Sequence, residues 1–261
     1  MSTQYDQIVN AYETVSNLPG EQIEHKNVER SIQPHLQGSK VLELACGLGM
    51  YTRRFIDMGA THVLALDISS GMIEAAKVAS ASPPYKSKIE YQVADCSKPT
   101  RFDEGPFDLV FAAYLLNYAP DEKTLSDSFR MASLNLKPGG IFLGTTVPPA
   151  EDPKKRIETL RAVRPKQKGI LWTTILGAVE DGCKINLMAL TEEKEEDNVG
   201  FDNYHLRESV YGRAAKAGGF GGGLEWERLE WPEELSGSER EEWLRTYVTE
   251  PETGIFVARK R

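Results

Sequence analysis

Residues with chemical potential stand at the ends of successive apolar runs. Val41-Leu42-Glu43-Leu44-Ala45 leads into Cys46-Gly47-Leu48-Gly49, a turn with two glycines that opens a helical pattern. Glycine there lets the backbone take conformations closed to other residues and lets a ligand approach without meeting a side chain. Val63-Leu64-Ala65-Leu66 ends at Asp67, Tyr91-Gln92-Val93-Ala94 ends at Asp95, and Phe107 to Phe111 runs into Ala112-Ala113-Tyr114. Asp67 lies 18 residues beyond Gly49, close to the roughly 20-residue offset at which a carboxylate grips both hydroxyls of a cofactor ribose. That pairing suits a nucleoside ligand without a 2′-phosphate. The bland alternatives are a tight structural turn and an Asp67 that merely caps a helix starting near Ser69-Ser70.

Nicotinamide enzymes also carry an acid at the second strand, so a nicotinamide-dependent oxidoreductase is a competing reading. Their fingerprint needs a third glycine three residues after the second. Thr52 occupies that position here, and Ala45 stands where the first glycine of that series belongs. A pyrophosphate cradle is disfavoured.

Elements that position these residues follow from periodicity. Tyr5, Ile8, Val9, Tyr12 and Val15 recur at helical spacing up to Ser16, and a second helix spans Gln22 to Leu36, so that 1–36 is a helical cover over the sheet. Strands at 40–45, 62–67, 88–93, 107–112 and 141–146 are separated by helices at 49–58, 70–80 and 121–136, with a turn at Lys137-Pro138-Gly139-Gly140. Such alternation implies an α/β, doubly wound, mostly parallel sheet that binds ligands at the carboxyl ends of its strands. After Pro148-Pro149 the pattern loosens into a substrate-side insertion, 148–205. It holds a basic helical stretch at 153–168, strands at Ile170–Leu176 and Lys184–Leu190, and an acidic run at Glu192–Asp197. A helix from Leu206 to Ala217 and strands at Leu224–Trp231 and Thr253–Arg259 close a single domain, 1–261.

Composition narrows the class. The chain has 261 residues, enough for a sizeable core, and a formal charge of −8 with dispersed cations, which argues against nucleic acid as a partner. Three cysteines without paired spacing indicate neither a disulfide framework nor a metal site. No stretch approaches the ~18 apolar residues of a membrane span. The expectation is a cytoplasmic protein, monomer or homodimer, with no membrane attachment.

The series Glu43-Leu-Ala-Cys-Gly47-Leu-Gly49, Asp67, Ala94-Asp95-Cys96 and Phe107 to Tyr118 resembles the motifs of class I S-adenosylmethionine-dependent methyltransferases. Tyr5-Asp6, Tyr12, Tyr51-Thr52-Arg53 and Ala113 to Ala119 look most like the toxoflavin N-methyltransferase type, enzymes of small-molecule and secondary metabolism. The resemblance implies a Rossmann-like sheet of seven strands closed by an antiparallel C-terminal pair, S-adenosylmethionine as cofactor, and methyl transfer to nitrogen, oxygen or sulfur of a small aromatic or heterocyclic acceptor. By the same resemblance Ala45 to Gly49, with Glu43 and Cys46, approach the methionine part. Asp67 holds the ribose, Ile68 and Met72 sandwich the adenine, and Asp95 with the Cys96 backbone binds its amino group. Ala112 and Tyr114 sit below the sulfonium, and Tyr12 closes the pocket. A protein that binds the cofactor without transferring its methyl is the alternative from another class.

On the acceptor side the candidates are Tyr114, Asn117 and Tyr118 beyond the fourth strand, and Trp172, Tyr204 and His205 in the insertion. His205 is the histidine expected to face the pocket, where a general base is its sharp role and a surface or capping residue its plain one.

Overall fold

The computed structural model describes residues 3–9, 12, 15, 18–148, 150–190, 198–238 and 240–261. The acidic run at 192–197 lies outside the described residues. Among these residues a seven-stranded sheet runs in the order β3-β2-β1-β4-β5-β10-β9. Its strands are β1 (Lys40–Leu44), β2 (His62–Asp67), β3 (Ile89–Val93), β4 (Phe107–Ala113), β5 (Leu136–Thr146), β9 (Glu225–Glu227) and β10 (Gly254–Arg259). The first five pair in parallel, whereas β10 runs antiparallel to both β5 and β9. Strand order reverses at β1, with β2 and β3 on one side and β4 and β5 on the other, so the carboxyl ends of β1 and β4 flank the crevice where such folds bind ligands.

Two-sided burial explains the apolar strands. Leu42, Leu44, Leu64, Leu66, Val110 and Phe142 face one layer, which is completed by α4 (Glu122–Asn135) and α6 (Glu208–Ala217). Val41, Val63, Ala65, Leu109, Phe111 and Leu143 face the other, covered by α1 (Glu21–Ile32) and α2 (Met50–Asp57). Helix α3 (Ser70–Ala79) follows β2 and is capped by Ser69, whose hydroxyl accepts the Met72 N–H at 3.1 Å.

A second, three-stranded antiparallel sheet comprises β6 (Ile170–Val179), β7 (Gly182–Leu190) and β8 (Val199–Leu206), preceded by α5 (Pro153–Val163). Register places Leu171, Leu187, Ala189, Val199, Phe201, Asn203 and His205 on one face. The N-terminal residues Ile8, Tyr12, Val15 and Leu18 pack against one end of that face, and Ile157 of α5 packs against the other. Two features depart from expectation. The insertion has a third strand, β8, where a loop leads into a helix at Leu206 in the sequence reading. The strand expected at 224–231 pairs only at Glu225–Glu227, after which the chain makes α7 (Glu241–Thr249).

Candidate functional site

At the carboxyl ends of β1, β2 and β4 lies a cavity of about 520 Å³ lined by Tyr12, Ala45, Gly47, Asp67, Ile68 and Met72, among others. That is within the roughly 300–1,000 Å³ of small-molecule sites. Asp67 is its polar anchor: one carboxylate oxygen accepts the Gly47 N–H at 2.8 Å and the other the Ser69 N–H at 2.9 Å. Since Ser69 itself caps α3, Asp67 is not that helix's cap. Its carboxyl is 6% exposed, and burial, offset in part by those backbone donors, raises its pKa. Each oxygen keeps a lone pair for a ligand hydroxyl. Ile68 is 46% exposed along the same wall, an apolar face suited to a flat ring, while Asp95 and Cys96 line the far side. Asp95 accepts from the Ser97 N–H at 3.1 Å and its hydroxyl at 2.6 Å. Burial raises the Asp95 carboxyl, but Ser97 and Lys98 outweigh it and leave the pKa lowered.

Backbone strain is concentrated at this wall. Ala45 (φ 59°) and Tyr114 (φ 57°) are the only non-glycine residues with left-handed φ among those described, a conformation that costs an L side chain roughly 1–2 kcal/mol. Gly47 (φ 53°) shares it at the lower cost open to glycine. Ala45, Gly47 and Tyr114 all line the large cavity and also a second chamber of about 110 Å³. The strain thus sits on one wall common to two cavities, the kind of place where backbone outliers cluster in binding sites.

The chamber lies between the end of β1, helix α1 and the inner face of the three-stranded sheet. Leu171, Leu187, Phe201 and Asn203 line it from the sheet, and Glu21, Glu24 and His25 from α1. Glu24, 4% exposed, accepts from the hydroxyls of Tyr114, Thr253 (2.7 Å) and Tyr51 (3.3 Å). One carboxylate thus ties α1, α2, β4 and the start of β10 together. Glu43 of β1 accepts from the Thr52 hydroxyl, and burial pushes its carboxyl up to about 8. Burial likewise lifts the Cys96 thiol to about 12 and the Cys46 thiol well above its ordinary value, so neither serves as a thiolate nucleophile. His25 is held neutral, down to about 4, by burial and Arg54.

Over the larger cavity lies a short turn, Gln4–Gln7. Asp6 accepts from the Ser69 hydroxyl at 2.5 Å and the Gly71 N–H at 3.4 Å, Gln4 exchanges two hydrogen bonds with the Asp202 backbone, and the Tyr5 hydroxyl meets that of Tyr118. The segment spans from the start of α3 to the edge strand β8.

The structure gathers most of the residues singled out from the sequence. Tyr12, Ala45, Gly47, Asp67, Ile68, Met72, Asp95, Cys96 and Tyr114 surround the large cavity, and Glu43, Cys46 and Asn117 line the chamber. Others fall elsewhere. Gly49 (φ 71°) lines neither; a Cβ there would stand 2.5 Å from the Tyr91 hydroxyl, so its role is close packing of the turn on β3. Ala112 faces the core, and its neighbour Ala113 lines both cavities, a shift of one residue that strand alternation converts into the opposite face. His205 is two residues beyond Asn203 on β8, under α5, where burial and Arg156 lower its pKa to about 4; it lines neither cavity. The histidine that does is His25. Trp172 and Tyr204 occupy the opposite face of the three-stranded sheet, Trp172 beneath the Arg161 guanidinium at 5.3 Å. Sequence reasoning missed Glu21, Glu24, Phe201 and Asn203. The available signal on α1 was a polar Glu24 and Asn27 within the stripe formed by Ile23, Val28 and Ile32.

Comparison with known proteins places residues 41–140 in a match to the family described as "Methyltransferase domain". A demethylmenaquinone methyltransferase of Leptospira interrogans is 31% identical over 134 residues, covering 49% of each chain. An mRNA cap guanine-N(7) methyltransferase of Caenorhabditis elegans is 34% identical over 116 residues, 41% of this chain and 30% of that one. Among solved structures, an S-adenosylmethionine dependent methyltransferase from Mesorhizobium loti aligns with a TM-score of 0.60 at 22% identity over 89% of this chain and 96% of that one. The chain spans about half the length, or less, of these curated relatives. The likeness establishes the fold, a Rossmann-like methyltransferase sheet with an antiparallel C-terminal strand pair. Among the described residues no helix is long and apolar enough to cross a membrane, and no group of three or more His, Cys, Asp or Glu is placed to hold a metal ion.

Proposed function

We propose that this chain catalyses S-adenosylmethionine-dependent methyl transfer to a small-molecule acceptor. The observation that carries the reading is a nucleoside-sized cavity, anchored on Asp67, that shares the strained Ala45–Tyr114 wall with a second, smaller chamber. The residues present fit the cofactor: Asp67 for the ribose hydroxyls, Ile68 and Met72 for the adenine faces, Asp95 and the Cys96 backbone for its amino group, and Ala45, Gly47 and Tyr12 for the methionine part. Bound there, the cofactor supplies an electrophilic methyl group on a sulfonium whose neutral thioether leaves readily. What the protein then contributes is alignment, and roughly 7–11 kcal/mol of a barrier is available from holding two reactants in line. Tyr114 and Asn117 are the acceptor-side residues of this reading, and His205 has no part in it.

The small chamber supports an acceptor of metabolite size, aromatic or heterocyclic in keeping with the aromatic walls of Tyr12, Tyr118 and Phe201. The negative formal charge supports an acceptor other than nucleic acid. Segment 148–205 sets acceptor choice, because its sheet forms one chamber wall; exchanging it for a related enzyme's segment with no change of acceptor preference would refute that role. Function in the cytoplasm, in secondary metabolism, as a monomer or homodimer completes the reading. Calorimetry with S-adenosylmethionine and S-adenosylhomocysteine tests the site, and release of labelled methyl to a metabolite panel tests transfer. Tight binding of NADH with no binding of either sulfur compound would overturn it.

A further inference from the structure

We propose that the chamber beside Tyr114 takes a protonated nitrogen base, an amine or amidine, as the acceptor group. This rests on the methyl-transfer reading and names its substrate class. Among the described residues the chamber is lined by three carboxyl groups, Glu21, Glu24 and Glu43, and by no lysine or arginine; its one histidine, His25, is held neutral. Two of the carboxyls are already engaged, Glu24 by three hydroxyls and Glu43 by Thr52. Glu21 accepts no hydrogen bond from any described residue. Burial and repulsion by Glu24 and Glu252 raise its pKa and favour the protonated carboxyl while no cation is bound; a cationic partner relieves the repulsion.

Independent of those acids, two buried amides point to a ligand. Asn117 is 1% and Asn203 0% exposed and both line the chamber; among the described residues the Asn117 side-chain oxygen has no hydrogen-bond partner, and the Asn203 amide has only the Tyr118 hydroxyl beside it, short of a well-formed bond. A buried polar group left unpaired costs roughly 1–3 kcal/mol, so two at one small chamber need an explanation in function. An N–H-bearing group satisfies the Asn117 and Asn203 oxygens and the Glu21 carboxylate together. The aromatic faces of Tyr12 and Phe201, ring centroids 6.3 Å apart, add attraction for a cation. Glu21 loses its own proton to solvent as the cation binds, and the resulting carboxylate then takes one N–H proton from the bound nitrogen, which leaves the nitrogen lone pair free to attack.

The test compares benzylamine with benzyl alcohol, equal in shape and different in charge, by calorimetry on the full chain saturated with S-adenosylhomocysteine at neutral pH. Benzylamine should bind at least tenfold tighter. Glu21→Gln should remove that preference while S-adenosylhomocysteine affinity and Tm hold, and the isosteric Asn203→Asp should strengthen it. Equal binding of the two probes, no benzylamine binding at millimolar concentration, or an unchanged preference in Glu21→Gln overturns the proposal. So does a loss of S-adenosylhomocysteine affinity in that variant, which would assign Glu21 to the cofactor. Failure of the wild-type chain to bind S-adenosylhomocysteine refutes the methyl-transfer reading instead, and the amine preference measured without it then judges the chamber alone.

Discussion

Asp67→Asn separates what Asp67 does for the fold from what it does for a ligand. The carboxylate accepts two backbone N–H groups, Gly47 at 2.8 Å and Ser69 at 2.9 Å, one on each oxygen. Asparagine keeps the shape and one acceptor, so it retains one of these bonds and turns an NH₂ toward the other donor. Leaving that buried donor unpaired costs roughly 1–3 kcal/mol of stability. On the ligand side, charge-assisted bonds to the ribose hydroxyls, worth about 1.5–3 kcal/mol, are lost or halved. The corresponding rise in Kd for S-adenosylhomocysteine is roughly ten- to over a hundredfold. Calorimetry gives that ratio, and a thermal scan in the absence of ligand gives the stability term separately. Adenosine, which keeps the ribose and lacks the methionine part, should show the same ratio. A folded Asp67→Asn protein that binds S-adenosylhomocysteine within threefold of wild type would refute the reasoning: Asp67 would then only pin the turn.

Three further outcomes are expected. Ala45→Gly relieves a left-handed alanine and should stabilise the chain by about 1 kcal/mol, a rise of roughly 2–4 °C in Tm for a protein of this size; an unchanged or lower Tm would mean the strain is compensated locally. Glu43, with its folded pKa raised from 4.5 to about 8 by burial, binds its proton more tightly in the folded state, so its contribution falls as pH rises through that window. The Glu43→Gln variant should therefore gain on wild type between pH 5 and pH 8 in denaturant titrations, and parallel curves would contradict it. Arg164, 2% exposed, bonds Glu252 at 3.0 Å, Thr246 at 3.1 Å and the Glu250 carbonyl at 2.7 Å. Arg164→Ala leaves Glu252 buried without its partner and should cost about 3–5 kcal/mol; a loss under 1 kcal/mol in urea unfolding would show that water replaces the guanidinium.

The parallel sheet was legible because its strands are bounded by turn signals and four of the five, β1 to β4, run into a residue singled out from the sequence: Gly47, Asp67, Asp95 and Tyr114. Spacing ties Asp67 to the glycine turn through Gly49, whereas the glycine whose N–H it accepts is Gly47. Strand β8 was hidden because its inward positions are Val199, Phe201, Asn203 and His205: alternation persists, but polarity changes halfway along the buried face. The same polar residues that make β8 interesting for the chamber make it unreadable as a strand. Ala112 was misplaced by one residue, which period-two geometry turns into a change of face. From the sequence, the insertion is expected to supply the pocket's histidine, His205, and His25 goes unweighed, although α1 turns it toward the chamber together with Glu24. Trp226 packs at 6.2 Å on Phe256, and Trp231 lies under Arg245 at 4.4 Å, so their alternating spacing continued past the end of actual strand pairing.

The Glu24 junction has a consequence for how this chain can change over generations. Tyr114 lines both cavities, yet its hydroxyl also holds the carboxylate that joins two helices and two strands. Replacing it to admit a new acceptor would orphan buried groups, so every such variant starts with a stability debt. Leu171, Leu187 and Phe201 touch the same chamber from the three-stranded sheet through apolar contact alone. Adaptive drift toward new acceptors, and laboratory libraries that imitate it, should therefore accumulate on that sheet while the junction stays fixed.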